Sequence, residues 1–145
     1  MMFLLDTDVV SELRRAGDGR ADAGVVAWLS GMDASAFYIS AITVMELELG
    51  VRLMERRDPA QGARLRAWMD GRVLPEFAER TLPVDTAVAV RCAALHVPDP
   101  RSERDAFIAA TALVHGMTIV TRNTADFAPL GVELLDPWTA GDGGR

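Results

Sequence analysis

The stretch Met2-Phe3-Leu4-Leu5-Asp6-Thr7-Asp8-Val9-Val10 decides the fold class. An apolar run passes directly into acids, the pattern of a strand buried on both faces that releases a carboxylate at its C-terminal tip. In open α/β sheets that tip is where ligands bind. A carboxylate there is costly unless a cation compensates it, so Asp6 and Asp8 ask for a partner. Both can instead cap the following helix, Asp8 being the better placed for a helix over residues 9–16.

Two further buried runs support the reading. Phe37-Tyr38-Ile39-Ser40 is a β-branched and aromatic strand, and Met117-Thr118-Ile119-Val120-Thr121 is a second that exits into Arg122-Asn123-Thr124-Ala125-Asp126-Phe127. Shorter strands are expected at residues 80–84, demoted to an edge by Pro83, and at 132–135. Helices alternate with them, at about 22–30, 43–57, 60–74, 85–95 and 102–115. Alternation of this kind predicts a largely parallel sheet whose strand C-termini share one edge.

Two helices carry further acids. In the first, Ile42, Glu46, Leu49 and Leu53 fall at i, i+4, i+7 and i+11, so Glu46 shares a row with residues expected inside or stands at that row's edge. Glu48 points elsewhere and suits an i+4 surface pair with Arg52. In the second, Asp105 stacks with Ile108, Ala109 and Ala112. Ser102 with Asp105 also resembles a capping box, so Asp105 is either a cap or an inward-pointing ligand. His115 suits the C-terminal dipole of its helix, and His96 has no companion at metal-ligand spacing.

Composition sets limits. The 145 residues suffice for one core, and the single cysteine, Cys92, lies among apolar neighbours, as expected of a reducing compartment. No cationic leader and no run of about eighteen apolar residues is present, so a cytoplasmic protein with no membrane association is expected. The net charge of −6 argues against a simple electrostatic nucleic-acid binder. All fifteen basic residues are arginine, which excludes chemistry that needs lysine.

Acids crowded at one sheet edge repel each other, and the usual remedy is a divalent cation. Ligation by Asp, Glu and Asn oxygens suits Mg²⁺ or Mn²⁺, ions that activate water and neutralise charge on a phosphodiester during cleavage. Two other classes compete. An interaction module would use the acids only as caps. A haloacid-dehalogenase-type phosphatase would use Asp6 as nucleophile and Asp8 as proton donor, but those enzymes hold phosphate with a lysine, absent here.

Four ordered blocks resemble those of PIN-domain proteins, more narrowly the VapC-type toxins and their FitB-like relatives. They are Leu4-Leu5-Asp6-Thr7-Asp8-Val9-Val10-Ser11-Glu12, Ser40-Ala41-Ile42-Thr43-Val44-Met45-Glu46-Leu47-Glu48-Leu49-Gly50, Asp105-Ala106-Phe107-Ile108-Ala109-Ala110-Thr111-Ala112 and Thr121-Arg122-Asn123-Thr124-Ala125-Asp126-Phe127. The resemblance runs from Phe3 to Trp138 and implies one PIN domain over residues 1–138, with 139–145 a flexible tail. It implies an α/β/α sandwich with a central, mainly parallel sheet of four or five strands. It also implies a Mg²⁺-dependent endoribonuclease, with Mn²⁺ able to substitute, that is the toxin of a toxin–antitoxin pair, forms a homodimer and is inhibited by a cognate antitoxin lying over the site. The family's first three acids fall on Asp6, Glu46 and Asp105. The fourth falls on Asn123, which has no charge, or on Asp126, three residues later. Thr7 and Thr121 are placed to orient ligands, and Arg14, Arg15 and Arg122 to steer phosphate.

Overall fold

The computed structural model describes residues 1–140. Five parallel strands form one sheet in the order β3-β2-β1-β4-β5: β1 Phe3–Leu5, β2 Phe37–Ser40, β3 Thr81–Leu82, β4 Thr118–Val120 and β5 Leu134–Leu135. The chain moves outward from β1 to β3, returns to the other side of β1 as β4, and moves outward again to β5. The order therefore reverses between β1 and β4, and the crevice for a ligand opens at their C-terminal ends.

Strand side chains alternate between two cores. Phe3, Leu5, Phe37, Ile39 and Val120 face one layer with Val9, Val10, Leu47 and Val51, while Leu4 and Ile119 face the other with Ile108, Ala109, Ala112 and Phe127. Both Leu4 and Leu5 are fully buried, so truncating either to alanine is expected to cost about 3 kcal/mol. The central strand is apolar throughout because neither of its faces meets water.

The helices are α1 Thr7–Gly17, α2 Ala23–Ser30, α3 Ala41–Arg57, α4 Pro59–Trp68, α5 Leu74–Glu76, α6 Thr86–Leu95, α7 Glu103–His115, α8 Thr124–Phe127 and α9 Pro137–Ala140. Side chains of Asp22, Asp58 and Asp85 cap α2, α4 and α6, and Gly116 at φ 65° ends α7 in the left-handed region that favours glycine. None of the described helices is long and apolar enough to cross a membrane. Of the expected tail, residues 139–140 belong to α9 and 141–145 lie outside the described residues.

Four expectations need correction. The cap of α1 is Asp6 rather than Asp8, because the helix begins at Thr7 directly after the strand. The inward row of α3 is Thr43, Leu47 and Val51, while Leu49 and Leu53 are 38% and 60% exposed. Both rows are regularly spaced, and packing against the sheet, where Leu47 and Val51 join the core, selects the buried one. The expected helix over 60–74 is interrupted, because a π-helical turn at Met69–Val73 joins α4 to α5. Ser102 makes no side-chain cap on α7, so no capping box ties Asp105 back to it.

The α3–α4 pair is clasped by charge. Arg66 on α4 reaches Glu48 through both terminal nitrogens, at 2.8 and 2.9 Å, and Glu55 at 3.2 Å. Glu48 also holds Arg52 as the spacing predicts, and these guanidinium hydrogen bonds pull its carboxyl down to about 2. The close approach needs Gly62, where an added Cβ would press into the Glu55 backbone, 2.7 Å from its nitrogen.

Candidate active site

Asp6 stands at the tip of β1, its own N–H still donating to Val120 O at 2.9 Å. It is 6% exposed, and both carboxylate oxygens are occupied: Oδ1 accepts from Thr7 N–H at 2.8 Å and Oδ2 from the Thr121 hydroxyl at 2.7 Å. Burial, then the charges of Asp8 and Glu46, push its pKa up to about 6 against the two hydrogen bonds. Thr121 is fully buried beyond the end of β4 and also accepts from Asn123 N–H at 3.0 Å. The strand exits of β1 and β4 are thus joined by one hydroxyl at the point where strand order reverses.

Thr7 carries the second link. Its hydroxyl donates to Glu46 Oε1 at 2.7 Å and is hydrogen-bonded to the buried Thr43 hydroxyl at 3.2 Å. Glu46 therefore lies at the edge of the inward row of α3, its side chain 24% exposed, and turns toward the start of α1. Its other oxygen, Oε2, faces Arg104 at 3.6 Å.

Asp105 is half-buried in the first turn of α7, where the positive end of the helix dipole favours an acid. Burial raises its pKa, followed by the charges of Asp6, Asp126 and Glu46. That pattern is the electrostatic mark of carboxylates sharing one neighbourhood. The structure thus brings Asp6, Glu46 and Asp105 to the C-terminal edge of the sheet from three separate segments. Asp126, exposed on α8, reaches this group through its charge on Asp105. Asn123 is exposed, and its side chain makes no cap to α8, so only its backbone is tied to the site.

Asp8 lies beside these acids and is held differently. Its Oδ2 accepts from Arg122 N–H at 3.0 Å, and Oδ1 is buried without a hydrogen-bond partner. Burial raises its pKa. The Arg122 guanidinium stacks over Trp138 with 5.3 Å to the ring centroid. Arg14 and Arg15 sit in the last turn of α1, the end away from Asp6, and pair with Asp18 and Glu12. Their expected part in steering phosphate at the acids is not supported by that placement.

Chemically the acids form an all-oxygen donor set that suits a hard divalent cation rather than zinc. Their mutual repulsion is what such an ion would relieve, and threonine hydroxyls hold two of the three. As the side chains stand, no three carboxylates, histidines or cysteines among the described residues are close enough together to share one ion. Closing on an ion thus needs side-chain movement, which the partly exposed Glu46 and Asp105 allow.

Two features escaped the sequence reading. Glu12 is buried and accepts from Asp22 N–H at 2.8 Å, locking the start of α2; its place three residues after Val9 on the inward side of α1 was the available signal. The contact of Arg104 with Glu46 spans two helices, and no local spacing announces it. Away from the acids, a groove of about 800 Å³ runs between α1 and the α4–α5 segment. Its floor includes Leu13, Trp68 and Phe77, and its walls include Arg20, Arg64 and Arg72.

A family model described as the PIN domain matches residues 3–131. The chain is 37% identical over 145 residues to "VapC ribonuclease Y4jK" of Sinorhizobium fredii, covering 94% of this chain and 98% of that protein. It is 38% identical over 142 residues to "Toxin FitB" of Neisseria gonorrhoeae, covering 94% and 99%. Among solved structures it is similar to FitAcB from Neisseria gonorrhoeae, with a TM-score of 0.84 at 37% identity, covering 94% of this chain and 99% of that one.

Proposed function

The chain belongs to the PIN-domain family, and from that premise we propose that it is a metal-dependent endoribonuclease, the toxin of a toxin–antitoxin pair. One observation carries the reading. Asp6, Glu46 and Asp105 feel one another's charge near the strand-order reversal, and two of them are oriented by buried or half-buried threonines from other elements. Carboxylates that served only as caps would not need hydroxyls from distant segments.

In this reading Asp6, Glu46 and Asp105 hold Mg²⁺ or Mn²⁺, with Asp126 the added charge at the rim. Such a cation, when bound, supplies Lewis-acid activation of water and neutralises charge developing at phosphorus. Thr121 keeps Asp6 Oδ2 at a set position, and Thr7 does the same for Glu46 Oε1. The dipole of α7 supports Asp105 in its ionised form. The open crevice suits an extended single strand of RNA, because the acids stand at a sheet edge and not in an enclosed cavity.

The partner in this reading is a cognate antitoxin, as the relatives' toxin name suggests. The groove along α1 and α4 supports it: an apolar floor walled by arginines accepts an amphipathic segment carrying acids. A second copy of the chain is the other partner. Met45, Leu49 and Leu53, spaced along α3, give apolar surface to solvent that pairing would cover.

The test is direct. Purified full-length protein, freed of any antitoxin, should cleave single-stranded RNA in Mg²⁺ or Mn²⁺, stop in EDTA, and lose activity as Asp6→Asn or Asp105→Asn. RNA left intact by wild-type protein in both metals would overturn the reading.

A further inference from the structure

Glu46 is held on two sides by different kinds of group. Thr7 donates to Oε1 at 2.7 Å, whereas Oε2 faces the Arg104 guanidinium at 3.6 Å. That second distance lies within ion-pair range but beyond a good hydrogen bond. Arg104 has half its side chain in water, so the contact is a loose one. It occupies the Glu46 oxygen that Thr7 leaves open, the one available to a metal ion.

We propose that Arg104 is a displaceable counter-cation of this site: it covers Glu46 Oε2 while no divalent ion is bound, yields that oxygen when one binds, and then offers its guanidinium to the RNA phosphodiester. The inference rests on the nuclease reading above. Among the described ion pairs, Arg104 is the arginine joined to Asp6, Glu46 or Asp105. The other arginine close by, Arg122, is stacked on Trp138. Arg104 immediately precedes Asp105 in the first turn of α7, so a guanidinium that leaves Glu46 remains at the rim, within reach of whatever the acids bind. A doubly charged ion in direct contact with Glu46 attracts it more than a half-hydrated single charge at 3.6 Å, so release follows from ion binding. Guanidinium then matches phosphate through its planar fork, which an ammonium lacks.

The experiment is titration of Mn²⁺ into metal-free full-length wild type, R104Q and R104K by calorimetry without RNA, followed by steady-state cleavage of single-stranded RNA at saturating Mn²⁺. R104Q should bind Mn²⁺ up to about fivefold more tightly, the size of a partly exposed ion pair. Its KM for RNA should rise about tenfold, the loss of a charge-assisted phosphate contact, with kcat changed much less. R104K should keep wild-type metal affinity and an intermediate KM. Equal or weaker Mn²⁺ binding by R104Q, or an unchanged KM, overturns the inference while wild-type cleavage leaves the nuclease reading standing. Wild type that binds no Mn²⁺ overturns both.

Discussion

The Thr121 hydroxyl donates to Asp6 Oδ2 at 2.7 Å across 115 positions of sequence, with both residues buried. This bond unites the ends of the two strands that flank the crevice, and it sets the direction of the most buried acid of the site. Thr121→Val keeps the shape of the side chain and removes the donor. It also leaves Asn123 N–H without its acceptor. Metal affinity should fall at least about tenfold, as when a ligand's supporting hydrogen bond is lost. Calorimetry with Mn²⁺ checks this, and equal affinity in the variant would show that Asp6 does not depend on Thr121 for its orientation.

Asp6 also sets a pH dependence. Its folded-state pKa is raised to about 6 from an ordinary 3.8, so the folded state favours the protonated carboxyl. The cost is present in full above the folded value and fades as pH falls through it toward the unfolded one. In EDTA, wild type should therefore be more stable at pH 5 than at pH 7.5, by ~1.4 kcal/mol from Asp6 alone, the rest of its effect being released only below pH 5. Asp8 and Asp105, also raised, act with the same sign. Glu48, lowered to about 2, acts oppositely: its contribution is lost as pH falls below its ordinary value of 4.5, which places the stability maximum at about pH 4. Urea melts at several pH values measure this. Asp6→Asn should flatten the rise between pH 7.5 and 5, and Mn²⁺ at pH 7.5 should stabilise wild type far more than the variant.

Gly62→Ala sets helix propensity against sterics. Alanine is favoured in a helix by about 1 kcal/mol. Here its Cβ would enter the backbone of Glu55, which cannot rotate away as a side chain would. Overpacking of this kind costs about 1–3 kcal/mol, so the variant should unfold at lower urea than wild type. A variant more stable than wild type would show that α4 does not need its close approach to α3.

Arg66 should matter in a salt-dependent way. It bridges Glu48 and Glu55 at the helix pair while remaining partly exposed. Arg66→Met should lower the melting temperature in dilute buffer, with the difference from wild type shrinking toward nothing in 1 M NaCl, where the screening length is only about 3 Å. A difference that persists in high salt would assign the loss to packing of the arginine stem instead.

Much of the architecture was legible because it is local. Apolar runs ending in polar residues mark β1, β2 and β4, and Asp22, Asp58, Asp85 and Gly116 mark helix ends through bonds to nearby backbone. The alternation of strand and helix implied a parallel sheet, and a parallel sheet gathers its strand exits on one edge. Asp6 stands out by its place at such an exit, whereas Glu46 and Asp105, on α3 and α7, stand out by their helix rows and by the family resemblance.

The rest depended on how elements rotate against one another. On α3 the row containing Leu49 and Leu53 was as regular as the row of Thr43, Leu47 and Val51, and only packing on the sheet selected the second. The hydroxyls of Thr7 and Thr121, the pairing of Arg104 with Glu46 and the stacking of Arg122 on Trp138 likewise arise between segments far apart in the chain. Sequence alone determined which residues form strands, where most helices stop and which acids lie at strand tips, since these follow from contacts within a few residues. Tertiary structure decided which oxygen of each acid is held, by what, and which remains free, because hydrogen-bond geometry between distant segments exists only once the sheet has brought them together.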